Sequence, residues 1–455
     1  MTPDTPRHHV VVLGGSLAGM LAAAALVPYA DVTVVERDRL PGGPAPRRGL
    51  PQARHVHLLY SGGARAIESL LPGTQEQWLR AGARRIPLPT GLVTLTAQGW
   101  LRRWPEMQYA IACSRDLLDH VVRRQLLALP GIGLLDGTEA TGLLGSGRRV
   151  TGVTLRDGGD GRERTLEADL VVDASGRGSS APQWLAALGF PAVPEQAVDS
   201  GLAYATRVFR APAGTEEFPV VGVQPDARQP VPGQSASLVP IEDHRWMVTL
   251  SGTRGGHPSK AGEAFIPFAR QVRHPIVGDL ITMAEPLGDV HVTHSTVNRR
   301  RLYEKAEAWL AGFLVLGDAV ATYNPIYGQG MSVAAHSAAA LRAALGRRDL
   351  REPGFARAVQ RTIGGIVQSP WELATGQDIQ YPGAIGTQPP AAARLLRGYM
   401  DRLMLTATGR AATCHALLDV LTLSAPVTRL MEPTVAIGVL RGPRLPLLQE
   451  PPLPA

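Results

Sequence analysis

The sequence predicts an α/β protein of two or three lobes. It opens on a βαβ unit, continues into a second sheet of antiparallel type and ends in helices. Three observations predict this. The stretch from His9 to Glu36, HVVVLGGSLAGMLAAAALVPYADVTVVE, passes from an apolar strand-type run through glycines into an alanine-rich helix, then into a second strand. Residues from about 201 to 255 alternate apolar and polar between proline and glycine breaks, as in Leu202 to Phe209 and Trp246 to Leu250. Phe313 to Ser332, FLVLGDAVATYNPIYGQGMS, carries another apolar strand that ends on Gly317-Asp318 and leads through a Pro/Gly loop into a helix from about Met331 to Leu345.

In the first unit, Val10 to Leu13 is the strand, and Gly14, Gly15 and Gly19 form the tight turn into the helix. The fingerprint G-x-G-x-x-G needs one glycine for the turn, one for close approach to a pyrophosphate and one for helix-on-strand packing. Here those places hold Gly14, Ser16 and Gly19. Serine is the smallest departure available, and its hydroxyl can reach a phosphate oxygen at the positive end of the helix. Glu36, about twenty residues on, suits both hydroxyls of an adenosine ribose and repels a 2′-phosphate. The bland alternative is a glycine turn in an ordinary α/β protein. Strand, helix and acid in register favour a Rossmann-like dinucleotide-binding domain.

The rest of the chain follows in order. From Glu36 to about His55 a Pro/Gly/Arg-rich segment reads as a long loop of the kind that carries function. Gly63 to Leu71 is predicted helical, and strand signals with Trp100 and Trp104 run from about Leu92 to Gln108. Ser114-Arg115-Asp116 caps a helix from Leu117 to Leu129 with an apolar face at Leu117, Leu118, Val121, Val122 and Leu126. Val150 to Ala174 is a hairpin turning at Asp157 to Gly161, and Asp169 to Ala174 returns to the first sheet. Ser175-Gly176-Arg177-Gly178-Ser179 ends that strand in another turn of phosphate scale. A short helix is expected near Glu263 to Arg273. Helices at Ala391 to Met404 and Thr413 to Leu423 precede a Pro/Leu-rich tail expected to be loosely ordered.

At 455 residues there is ample chain for a large core. The formal net charge of +7 raises nucleic acid as a partner, so the distribution of the basic residues decides. Of 46 basic residues only Lys260 and Lys305 are lysines, and the arginines come as scattered pairs such as Arg84-Arg85 and Arg123-Arg124. That is a solvated surface, and an aromatic content of 5% leaves no stacking platform, so nucleic acid is not expected. Cys113 and Cys414 have no ligand-spaced partner, which implies neither a disulfide framework nor a metal site and fits a reduced cytoplasm. No secretory leader is expected ahead of the first strand. No run approaches the roughly 18 apolar residues that cross a bilayer, so stable membrane insertion is not expected either.

The Gly-rich βαβ, the Gly317-Asp318 strand end and the Asn324-Pro325…Gly328…Gly330 loop resemble the single-component FAD-dependent monooxygenases, the superfamily of aromatic hydroxylases and squalene epoxidase. The resemblance implies FAD as cofactor and NAD(P)H as reductant. By motif it gives Asp318, after Gly317, the ribityl chain, and gives Pro325 through Met331, with Gly328 and Gly330, the flavin N1 and C2 carbonyl. Arg115 matches a family arginine that contacts the cofactor, and Arg48-Gly49 a flavin-proximal segment. Gly14, Gly15, Ser16, Gly19, Glu36 and Arg37 complete the expected cofactor set. The implied domains are 1-60, 105-185 and 290-350 for FAD, 61-104 and 186-289 for substrate, 351-440 as a C-terminal helical region and 441-455 as the tail.

Within that superfamily, RGLPQARHVHLL from Arg48 to Leu59 and GSSAPQWL from Gly178 to Leu185 are most similar to the polyene epoxidases of polyether ionophore biosynthesis, the monensin and lasalocid type. The likeness runs over most of the chain. One departure concerns the wider family: aromatic hydroxylases carry an Asp-Gly pair where this chain has Ser175-Gly176, with Asp173 two residues earlier. That pair is associated with FAD and NAD(P)H contact.

The resemblance also implies the chemistry: reduced flavin meets O2, and a C4a-hydroperoxide hands oxygen to a double bond of a linear polyene polyketide in polyether antibiotic biosynthesis. An alkene needs no deprotonation, so no catalytic acid or base is assigned. A flavin reductase and a downstream epoxide hydrolase or cyclase are the candidate partners. His55 and His57 alternate as in an extended segment, which suits a structural or flavin-edge role and not a metal pair; His336 reads as a packed histidine. Tyr204, Phe209, Phe218 and Trp246 are the aromatic candidates of the substrate lobe. An aromatic hydroxylase and a geranylgeranyl-reductase-like flavin oxidoreductase are the alternatives. A halogenase is disfavoured, because the chain has no W-x-W signature and no lysine before Lys260.

Overall fold

The computed structural model describes residues 7–294, 296–388 and 391–453, so the ends of the expected first domain and of the expected tail, 1–6 and 454–455, lie outside the described residues. A five-stranded parallel sheet takes the order Phe313–Val315, Leu170–Asp173, His8–Leu13, Ala30–Glu36, Ile132–Asp136. Val10 to Val12 and Leu170 to Val172 are fully buried, which is why these strands read as continuous apolar runs instead of alternating. Helices Leu17–Leu26, Arg115–Leu127 and Gly330–Leu345 share the core of this sheet, and an antiparallel meander, Thr138–Ser146, Arg149–Asp157 and Glu163–Glu167, packs against its strands. The strand order reverses at His8–Leu13, so the crevice beyond its carboxyl end is the place where such sheets bind ligands.

Two segments fall differently from the expected boundaries. Helix Ser61–Leu70 stacks on Gly330–Leu345, and Ala64, Ile67, Leu70 and Trp78 join the core of the parallel sheet, not that of the antiparallel lobe. Gly63 permits the approach, since a Cβ there would lie 2.4 Å from the Ser332 hydroxyl oxygen. Helix Phe355–Asp378, not singled out within the expected C-terminal helical region 351-440, lays Phe355, Val359, Ile363, Val367, Trp371 and Ala374 into the same core. Gly364, Gly365 and Pro370 blunt its helical signal, and burial of that stripe outweighs their cost.

The second lobe is an eight-stranded sheet centred on Ala203–Arg210, Arg245–Gly252 and Gln234–Ile241, which pair antiparallel. Its two faces do different things. Phe209, Trp246 and Leu250 point to helices Phe265–Gln271 and Ile276–Thr282. Val208, Met247 and Val239 point the other way, to the small sheet Leu58–Tyr60, Gln108–Ala112, Arg84–Leu88 and the helices Ala391–Gly409, Ala411–Leu421 and Pro433–Arg441. Phe209 and Trp246 are therefore core residues of the far face, with Phe218 packed on Trp246 at 5.0 Å between ring centres. Of the four expected substrate-lobe aromatics only Tyr204, one step out of phase with Phe209, faces the parallel-sheet side.

The tail is not loose over its described residues. The backbone N–H groups of Arg444 and Leu445 both donate to the Gly409 carbonyl, Arg102 donates to the Pro446 carbonyl at 2.5 Å, and Leu448 packs on the far-face core. No helix among the described residues is long and apolar enough to cross a membrane.

Candidate functional site

The site is built first by two glycines. Gly14 has φ +103° and a Cβ on it would lie 2.5 Å from the Ala174 carbonyl oxygen; a Cβ on Gly19 would lie 1.8 Å from the Gly14 carbonyl oxygen. Only glycine serves at either place. Ser16 is the N-cap of helix Leu17–Leu26 but makes no capping bond with its side chain, so the first N–H groups of the helix are left for a ligand. Glu36 ties the turn to the next loop. Its two carboxylate oxygens accept from Gly15 N–H at 2.6 Å and Asp38 N–H at 2.9 Å, and Arg47 approaches to 3.3 Å.

The second anchor closes on the first. Strand Phe313–Val315 leads to Gly317, at φ +66°, whose absent Cβ would lie 2.7 Å from that of Ala18 on the first helix. Asp318 follows, at the heart of the molecule, where burial raises its pKa and the cations of Arg177 and Arg115 oppose the rise. Asn324 accepts Ile326 N–H at 3.1 Å and so caps the short turn Pro325–Tyr327; Gly328 then takes the left-handed conformation at φ +66°. Helix Gly330–Leu345 starts without a side-chain cap and presents its N-terminus to the same space.

That space is a cavity of about 500 Å³ lined from both anchors. Of the expected cofactor residues, Gly14, Ser16, Glu36, Arg37 and Gly49 line one part of the wall, and Arg115, Asp318, Pro325, Gly328, Gly330 and Met331 also belong to it. Gly15, Gly19 and Gly317 are not on the wall and act as the turn and packing residues just described. Arg48 is a correction. It is exposed and off the wall, whereas Arg47, its neighbour, is the arginine turned inward to Glu36.

Sequence reasoning gave His57 a structural or flavin-edge role and Arg177 a place in a turn of phosphate scale without counting either among the cofactor residues, and it passed over Asp378. His57 and Arg177 line the cavity; Arg177 sits in the turn after Asp173, whose buried carboxylate is bonded by Ser175 and Ser179. Asp378 lies behind the wall and bonds Asn324 at 2.9 Å. Cys113 and Cys414 are both free and buried. His55 is structural, with both ring nitrogens bonded to threonines, and His336 is a half-buried helix residue whose pKa burial lowers.

The residues fit FAD on their own chemistry. Glu36 and Asp318 are acceptors suited to the ribose and ribityl hydroxyls, the Ser16 helix end suits the pyrophosphate, and the Gly330 helix end suits the electron-rich edge of a flavin ring. Comparison with known proteins agrees. Residues 9–190 match the family model described as FAD dependent oxidoreductase. Protein Rv3254 of Mycobacterium tuberculosis is 32% identical over 399 residues, covering 85% of this chain and 83% of that one. The kynurenine 3-monooxygenase of Salinispora arenicola is 28% identical over 348 residues, 72% of this chain and 70% of its own. PqsL, a probable FAD-dependent monooxygenase from Pseudomonas aeruginosa, shares the fold with a TM-score of 0.59 at 20% identity, over 82% of this chain and 97% of that one. The flavin-dependent halogenase CmlS shares it with a TM-score of 0.63 at 20% identity, over 92% and 77%. From the likeness to Rv3254 across most of both chains, and the family match over the glycine-turn unit, the chain belongs to the FAD-dependent oxidoreductase family.

Proposed function

We propose that this chain is an FAD-dependent monooxygenase that transfers one oxygen atom of O2 to isolated double bonds of a linear unsaturated polyketide, with NAD(P)H as electron source. The observation that carries this reading is the proton chemistry of the cavity wall. Among the described residues His57 is the one imidazole on it, and burial together with the Arg115 charge lowers its pKa to about 3, which makes it a poor base at neutral pH. The wall tyrosine, Tyr323, is held firmly protonated by burial and by the charge of Asp318. A phenol must shed its proton during hydroxylation, whereas an alkene has none to shed, so a wall of this kind suits the alkene.

When bound, FAD supplies the oxygen chemistry. The chain's own residues then have three tasks. Asp318 and Glu36 hold polyol hydroxyls, the N-terminus of helix Gly330–Leu345 opposes negative charge on the flavin ring, and Leu50, Leu58 and Met331 keep water from the wall. The wording from Arg48 to Leu59 supports the polyketide class, and an epoxide product would pass to a hydrolase or cyclase. The second lobe is a mostly antiparallel sheet with no glycine-turn βαβ unit among the described residues, which supports reduction by transient NAD(P)H docking or by a separate flavin reductase. Both lysines, Lys260 and Lys305, are exposed and off the cavity, which does not favour a halogenase. An aromatic hydroxylase is the second reading, favoured by the likeness to kynurenine 3-monooxygenases.

Incubating the FAD-loaded protein with NADPH, isotopically labelled O2 and a simple polyene ester tests the proposal, which expects mass gains of single labelled oxygen atoms. Label entering a phenol but never an isolated trisubstituted alkene would replace it with the aromatic hydroxylase.

A further inference from the structure

We infer that His57 is a positioning residue whose Nε2 accepts a hydrogen bond from an N–H or O–H group on the flavin half of bound FAD. The inference rests on FAD filling the cavity. His57 lies on the cavity wall, and its Nδ1 is 2.8 Å from the backbone carbonyl oxygen of His55. A carbonyl only accepts, so Nδ1 carries the hydrogen of the neutral ring and Nε2 is left as a bare lone pair. No group among the described residues donates to it. Burial and the neighbouring Arg115 cation act against protonation, so the ring stays an acceptor across the physiological range.

The acceptor is also held rigid. The His55 ring nitrogens bond the hydroxyls of Thr206 and Thr293, each at 2.8 Å, and Val56 N–H donates to Thr249 at 3.1 Å. The Thr206 and Thr249 hydroxyls are themselves 2.6 Å apart. Residues 55–57 are thus clamped to three strands of the antiparallel sheet, so the carbonyl that sets the His57 tautomer has little freedom to move.

Chemistry narrows what His57 can meet. The pyrophosphate of FAD offers no proton at neutral pH, which leaves hydroxyls and N–H groups. Strand Leu58–Tyr60, which follows His57 directly, packs on helix Gly330–Leu345, and a Cβ on Gly328 would lie 3.1 Å from the Tyr60 ring, so His57 belongs to the Asp318–Gly330 end of the cavity and not to the Glu36 end. At that end the available donors are the ribityl hydroxyls and the flavin N3–H.

The test titrates flavin-free, full-length protein with FAD, riboflavin, lumiflavin and ADP by calorimetry, comparing the wild type with His57→Phe and His57→Gln. The Phe variant keeps a ring and loses the acceptor; the Gln variant keeps an acceptor of similar reach. The expected result for His57→Phe is about a tenfold loss of affinity for FAD and riboflavin with ADP unchanged, while His57→Gln stays within about threefold of wild type. A loss with riboflavin but not lumiflavin assigns the ribityl hydroxyl, and a loss with both assigns N3–H. Unchanged FAD affinity in His57→Phe, or an equal loss for ADP, would overturn the inference. A wild type that binds no FAD would instead sink the cofactor reading on which it stands.

Discussion

The amide nitrogen of Asn324 lies 2.9 Å from a carboxylate oxygen of Asp378, joining the loop in front of the cavity to the last residue of helix Phe355–Asp378. The same carboxylate accepts from Asn298 and Tyr327 at 2.7 Å each and from Ser200 at 3.4 Å, while the Asn324 carbonyl accepts the Tyr204 hydroxyl at 2.6 Å. Parallel-sheet core, antiparallel sheet and cavity loop meet at one buried acid. Burial raises its pKa and the four donors pull it back. Removing the acid strands those donors. Asp378→Leu is expected to destabilise the protein by about 3–5 kcal/mol and to weaken FAD binding through the loosened loop, with Asp378→Asn affected less because its amide oxygen still accepts. Urea unfolding reads this; a Leu variant as stable as wild type would show that the cluster holds nothing together.

The glycine turn gives a paired prediction. Gly19→Ala forces a Cβ to within 1.8 Å of the Gly14 carbonyl oxygen, so the turn must open; a cost of at least about 1–3 kcal/mol and a marked fall in FAD affinity should follow. Gly365→Ala is the control. In the exposed interior of helix Phe355–Asp378 a Cβ there meets nothing within 4 Å, and the substitution should stabilise by about 0.5–1 kcal/mol. Thermal melts of both variants check the opposite signs.

The C-terminal segment supplies another. Deleting residues 443–455 removes the donors to Gly409, the Arg102 partner Pro446 and the Leu448 contact. The truncated chain should melt several degrees lower and be cut faster by protease within Ala391–Gly409, the helix that ends on Gly409. Unchanged melting would return the segment to the loose tail that its proline content suggests.

How far the sequence spoke for this structure depended on how local the cause was. Gly14, Gly19 and Asp318 were legible because a tight turn or a strand end is decided by neighbours in the chain. Arg47 and Arg48 are adjacent in a loop, and which of them turns inward follows from Glu36, eleven residues earlier for Arg47. Tyr204 and Phe209 show their alternation plainly, but which face meets the cavity is settled only by what packs on each. Asp378 had no local signal at all. Its partners Ser200, Asn298 and Asn324 stand 178, 80 and 54 residues away, and its helix is masked by Gly364, Gly365 and Pro370.

The last prediction concerns acid. His55 and His57 have pKa values lowered to about 4 and about 3, against 6.5 for an ordinary histidine, first because both are buried. Below pH 6.5 the unfolded chain therefore binds protons that the native state refuses, so the stability these two rings contribute is complete above 6.5 and drains away as the pH falls towards their native values. Between pH 7 and 5 the loss should be on the order of 1–2 kcal/mol for each ring. Other groups shift the balance as well: His120, His291 and His336 are lowered in the same sense, while the raised carboxyls of Asp173, Asp318 and Asp378 work in the opposite one. The measurement is therefore a difference. Urea unfolding of the wild type and of a double variant, His55→Gln with His57→Gln, is followed from pH 7 to pH 5, and the variant should show the shallower decline. If the two curves stay parallel across that window, both rings titrate as ordinary exposed histidines, and the clamp that fixes the His57 tautomer is not formed in solution.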